Sequence, residues 1–207
     1  MANLIDKNQA TKTIRFIVVF TITWNVLEAV ISIWAGRNAS SAALIGFGLD
    51  SVIEVISAAA VAWQFSAKDP EVVEAREHRA LRIIAWSFFA LAAYITVESI
   101  SALLGYREPE HSTVGLVITA LSLVVMPIVS WIERHNARAM GSRSAEADSK
   151  QTLICTYLSA AVFIGLACNS LFGWGWADSV AGLIIAAVAV YEGRNALKGK
   201  TCCCNGC

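Results

Sequence analysis

Apolar and polar positions alternate along this chain on the scale of whole helices. Long apolar runs occupy 14–35, 40–64, 80–104, 113–132, 152–173 and 177–197. Each comes close to or exceeds the roughly 20 apolar residues that carry an α-helix across a bilayer. Polar breaks separate them: GRNAS near 36, AKDPEVVEAREHR near 67, YREPEHS near 106, ERHNARAMGSRSAEADSK near 133 and GWGWAD near 173. Trp34, Trp63, Trp131, Trp174 and Trp176 mark run ends, as amphipathic rings at the headgroup level do. The pattern predicts an all-α, polytopic membrane protein with six transmembrane helices in one bundle. Residues 1–13 form a short leading segment, 14–197 the membrane domain and 198–207 a Cys-rich tail. No small-residue cleavage site follows the first run, so it is expected to be a retained helix and not a cleaved signal.

Composition agrees. The 207 residues are 57% hydrophobic and 15% charged, against about a quarter charged in soluble domains. A formal net charge of zero gives no electrostatic case for nucleic acid as a partner. There is no Gly-rich phosphate loop and no secreted-domain cysteine spacing. Basic residues set the direction. Lys7, Lys12 and Arg15 precede the first run, and Lys68, Arg76, Arg79 and Arg82 surround the second break. Arg134, Arg138, Arg143 and Lys150 fill the fourth, and Arg194, Lys198 and Lys200 close the chain. Only Arg37 and Arg107 remain for the opposite side. The positive-inside rule therefore predicts that both termini and the two longer connections are cytoplasmic.

Against this background the stretch GFGLDSVIEV is anomalous. Asp50 and Glu54 sit within the second apolar run, where each acid costs roughly 2.5–3.5 kcal/mol to insert. Ala42, Gly46, Asp50, Glu54 and Ala58 recur at every fourth residue, giving one stripe of small and acidic side chains. Small residues admit a neighbouring helix closely, so the acids face protein or a wet gap. Other runs carry polar marks at helical spacing. These are Asn25 with Glu28 in the first, Tyr94, Glu98 and Ser101 in the third, and Asp148, Gln151, Thr152, Cys155 and Ser159 leading the fifth.

Two carboxylates four residues apart can reach one ion between them. Carboxylate, amide and thiolate ligands from two helices suit zinc, and an oxygen-rich set suits manganese, iron or cobalt. Alternatively one acid of the pair holds a proton, since like charges this close do not both ionise readily. Exchange of protons for a metal ion at one place is the core of an antiporter. The expected metal ligands are Asp50, Glu54, Asp148, Gln151 and Cys155, with Glu28, Asn25, Glu98 and Thr152 along an ion or proton path. Simpler readings stand beside these. Asp50 and Glu54 can be a structural pair, Glu28 and Glu98 helix–helix glue, Asp148 a solvated helix-start acid and Cys155 a small packing residue. Asp178 is expected to cap an outer helix start, and His78, His111 and His135 lie at boundaries. In the tail, Cys202, Cys203, Cys204 and Cys207 fall on the reducing side by this topology. They are expected to collect or sense soft metals, or to be a disordered end that is acylated or tolerated.

These residues give the chain a resemblance to the cation diffusion facilitators, six-helix divalent-metal exporters. The serine-led SSAALIGFGLDSVIEVISA, the lead REHRALRIIA into the third run and the closing WGWADSVAGLIIAAVAVYEGRNAL carry it. GFGLDS, EHRALR and SKQTLICTYLS look most like the small branch that includes transmembrane protein 163. The resemblance implies that Asp50 and Glu54 occupy the family's metal positions in the second helix. In the fifth, the family's His or Asp followed by Asp is replaced by Gln151 and Cys155, with Asp148 a turn earlier. It also implies that the family's cytoplasmic C-terminal domain is missing here, and with it a support for the homodimer.

The expected activity is efflux of a divalent cation in exchange for protons. Zinc is the first choice, with cobalt, iron, manganese, nickel and cadmium open. The metal is substrate, and no prosthetic group is expected. The partners are the metal ion, protons, the lipid bilayer of the cell (plasma or inner) membrane and a possible second copy. A metal-binding regulator that uses the same bundle without turnover is the alternative. No membrane-embedded Ser with His and no HExxH favours an enzyme.

Overall fold

In the computed structural model, which describes residues 2–65, 70–106, 109–140 and 143–198, six helices follow in order. They are α1 Ala2–Asn38, α2 Ala42–Phe65, α3 Pro70–Leu103, α4 Thr113–Met140, α5 Arg143–Phe172 and α6 Gly175–Leu197. Five contain apolar stretches of membrane-spanning length: Val19–Asn38, Leu81–Leu103, Thr113–Ile132, Cys155–Phe172 and Gly175–Leu197. The remaining helix, α2, is 24 residues long and carries the two acids. The chain is thus an all-α, multi-pass membrane protein. Large apolar side chains such as Val30, Trp86, Val97, Val124 and Ile164 stand mostly exposed around the bundle, a surface that lipid covers.

The helices outrun the apolar spans. Much of what hydropathy marks as polar breaks near 67 and 133 is helical, namely residues 70–79, 133–140 and 143–150. Glu, Arg, Ala and Lys dominate these stretches and propagate a helix in water as well as in lipid. Hydropathy therefore locates the edge of the oil and not the end of the helix. Pro70 opens α3, where its missing N–H has no intrahelical partner to lose.

Packing follows a ring. α1 lies against α2 and α4, α4 against α5, α5 against α6, α6 against α3, and α3 against α2. α2 also reaches across to α5 and α6, so it is the central element. One apolar cluster joins α2, α3 and α6 through Ile45, Leu91, Ile95, Ala186 and Ala189. The other joins α2, α4, α5 and α6 through Leu44, Phe47, Ile118, Val162 and Ile185. Small residues set the approach of α6: a Cβ on Gly182 would collide with Ser99 Oγ of α3.

The start of α2 is held by a polar clamp. Ser41 caps it, its Oγ accepting from Leu44 N–H at 3.0 Å. The same hydroxyl donates to Asp178 Oδ1 at 2.5 Å, and Ala43 N–H donates to Asp178 Oδ2 at 3.4 Å. Asp178 was expected to cap its own helix. Instead the residue preceding α6 is Trp174, which makes no side-chain cap bond. Asp178, fully buried, serves the start of α2. It lies in the first turn of α6, and its carboxylate is turned across to Ser41 and Ala43.

Candidate functional site

Halfway along α2 the stripe of small residues meets α5 and α1. Ala42, Gly46 and Asp50 are buried and Glu54 is half-buried. Asp50 and Glu54, one turn apart, present their carboxylates toward Cys155, itself buried on α5. The Cys155 thiol donates to Glu54 Oε1 at 2.6 Å and lies 3.5 Å from Asp50 Oδ2. The other Glu54 oxygen accepts from Asn25 Nδ2 of α1 at 2.7 Å. Three helices therefore converge on one point, and the carboxylate, carboxylate and thiol ligand atoms all lie within 4.8 Å of one another.

That spacing bears on chemistry. Ligands around one tetrahedral zinc stand about 3.5 Å apart, given metal–ligand bonds of about 2.0–2.3 Å. Three ligand atoms within 4.8 Å of one another are in reach of a common ion. Two carboxylates and a sulfur make a mixed hard and soft set that suits zinc, cadmium and cobalt. Charge points the same way, since buried acids are tolerated when they are paired or ligate a cation.

Not every expected residue joins them. Asp148, Gln151 and Thr152 lie on α5 in the two turns before Cys155, and their side chains fall outside the described residues. So do the tail residues Cys202, Cys203, Cys204 and Cys207. Glu98 is placed elsewhere. The buried face of α3 is Leu91, Ala92, Ile95 and Ser99, and Tyr94 stands exposed. Tyr94 and Glu98 line a groove on the flank of the bundle with Ile33, Arg37, Ser40, Ile45 and Leu49. The expected polar stripe of α3 thus turns away from the centre, because the small and apolar side is the one that fits against α6. Glu28 is fully buried and accepts from Ser51 Oγ at 3.0 Å.

Two contributors escape a reading of the sequence. Ser51 follows Asp50 directly, yet on a helix it faces α1 and not α5, and a lone serine gives no such signal. Glu192, half-buried near the end of α6, acts electrostatically on Asp50. Its position beside Gly193 and Arg194 makes it look like an ordinary helix-end residue.

Comparison with known proteins adds the lineage of the helices around this point. Residues 77–200, covering most of α3 and the whole of α4 to α6, match the cation efflux transmembrane domain. A cation-efflux pump, FieF, of Shewanella oneidensis is 31% identical over 94 residues, which is 45% of this chain and 30% of that protein. A cadmium, cobalt and zinc/H(+)-K(+) antiporter of Bacillus subtilis is 29% identical over 115 residues, 52% of this chain and 34% of the antiporter. The matched stretches span about a third of the length of these relatives.

Proposed function

The chain belongs to the cation efflux family, and from that premise we propose that it exports a divalent metal cation in exchange for protons through a site between α2 and α5. Membership of a family of transporters places it outside the enzymes. The observation that carries the proposal is the convergence of Asp50, Glu54 and Cys155 within 4.8 Å at the centre of the bundle. Asp148 and Gln151, on the same helix as Cys155, complete the ligand set from the side of α5.

Zinc is the favoured substrate, because sulfur and carboxylate oxygen together match its ligand preferences. The printed name of the Bacillus relative, which joins cadmium, cobalt and zinc to proton exchange, supports the same group of metals. In the cycle, metal entering from the cytoplasm displaces protons from the carboxylates. The bundle then opens outward, and protons return through the same acids. Asp50 and Glu54 hold charge, Cys155 supplies the soft donor, and Asn25 orients Glu54 through its 2.7 Å hydrogen bond. The plasma membrane is the proposed location. The cysteines of the tail collect metal at the cytoplasmic face.

Reconstitution into proteoliposomes tests this. A pH gradient should drive zinc flux through the native protein, and Asp50→Ala or Glu54→Ala should abolish it while the protein remains inserted. Tight zinc binding without flux would replace export by a regulatory, metal-sensing role. Normal flux in both variants would move the site elsewhere.

A further inference from the structure

Beside the proposed metal site the structure holds a second group of buried polar side chains where α1, α2 and α4 meet. Its centre is Glu28, a carboxylate with no exposed surface. Ser51 of α2 donates to one of its oxygens at 3.0 Å, while Oε1 has no hydrogen-bond partner. Ser122, fully buried on α4, faces the same carboxylate. Asn25, one turn before Glu28, spends its amide N–H on Glu54, and its Oδ1 is buried without a partner. Ser32, one turn after Glu28 and also fully buried, has an unpartnered hydroxyl.

Among the described residues, the groups that act on Glu28 are Ser51, Ser122 and Asp50, none of them cationic. Buried carboxylates persist when paired or bound to a cation. Here the surrounding donors are all oxygen: one carboxylate, one amide carbonyl and serine hydroxyls. Oxygen-only sets select hard cations, and a single carboxylate balances a single positive charge. A proton on Oε1 turns that oxygen into a donor for one neighbouring acceptor, whereas an ion with several oxygen ligands engages the serine hydroxyls as well.

We propose that Glu28, with Asn25, Ser51 and Ser122, forms a second cation site that takes an alkali-metal ion. The site is distinct from the mixed carboxylate–thiol site and shares with it the Asn25 side chain. Asn25 donates its N–H to Glu54 and keeps its carbonyl buried without a partner, so an ion that draws on that carbonyl changes the orientation offered to Glu54. That gives the two ions a means of coupling.

The test is direct binding to the purified full chain in detergent, with 22Na+ and 86Rb+ (standing in for K+) as probes in a scintillation proximity assay. One saturable site per chain for either isotope is expected, and which isotope binds tells sodium from potassium. Glu28→Gln should weaken it at least tenfold, and Ser122→Ala several-fold, the latter serving if the first variant does not fold. Asp50→Asn with Glu54→Gln should retain alkali binding while losing zinc binding, so this proposal and the zinc site fail separately. No saturable binding of either isotope to the native chain would overturn the inference. Binding unaffected by both Glu28→Gln and Ser122→Ala would overturn it too, and so would a Glu28→Gln effect confined to the pH dependence of zinc flux.

Discussion

Asp178 and Glu28 are both carboxylates with no solvent-exposed surface, yet they stand in opposite circumstances. Asp178, near the start of α6, takes the Ser41 hydroxyl on one oxygen and the Ala43 N–H on the other. Its needs are met from within the protein. Glu28, beside the middle of α2, has one oxygen satisfied and one orphaned, and the neighbouring Asn25 carbonyl is orphaned too. At the same depth in α2, Asp50 and Glu54 both meet the Cys155 thiol, and Glu54 also takes the Asn25 amide. An acid whose lone pairs are filled by protein donors holds the fold together. An acid whose carboxylate meets a thiol or stays unpaired in the middle of a bundle is the kind we propose to hold a cation. Burial alone does not distinguish them; the inventory of partners does.

Substitutions separate the two kinds. The largest effect is expected from Asp50→Asn combined with Glu54→Gln, which keeps shape and removes both charges. Zinc flux in proteoliposomes should fall to background while thermal stability in detergent is unchanged or higher, since one buried and one half-buried acid are gone. A large loss of stability instead would put these acids with Asp178. Next comes Asp178→Ala, which strands Ser41 and the start of α2 and should cost about 3 kcal/mol, or roughly 5–10 °C in Tm. Protein that still folds should retain zinc binding at α2 and α5, and unchanged stability would dissolve the contrast. Cys155→Ser has a smaller and selective effect. Replacing sulfur by oxygen should weaken zinc and cadmium by about tenfold relative to manganese, read as competition in flux assays. Removing the last six residues should matter least, shifting metal sensitivity without eliminating transport.

The stripe of α2 was legible because acids in a long apolar run are costly enough to stand out, and the four-residue spacing fixes their common face. Cys155 was legible only through its register with Asp148 and Gln151. The helix count followed from hydropathy, but the helical stretches beyond the oil did not, since charged residues favour helix as well as water. Glu98 shows the other boundary. Its spacing with Tyr94 and Ser101 marks a face of α3 but cannot say which face turns inward. That depends on Gly182 of α6 leaving room for Ser99, a property of two helices together. The reach of Asp178 to Ser41, across 137 positions of chain, is tertiary in the same sense.

The central claim is that Asp50, Glu54 and Cys155 bind one metal ion together. It is tested most directly by cadmium X-ray absorption on the full chain, with Cys168 and the four tail cysteines replaced by serine. The account predicts one bound cadmium with a single sulfur neighbour among oxygen ligands, the sulfur vanishing in Cys155→Ser and the ion itself in Asp50→Asn with Glu54→Gln. A cadmium shell without sulfur, or one indifferent to the loss of both carboxylates, would contradict it.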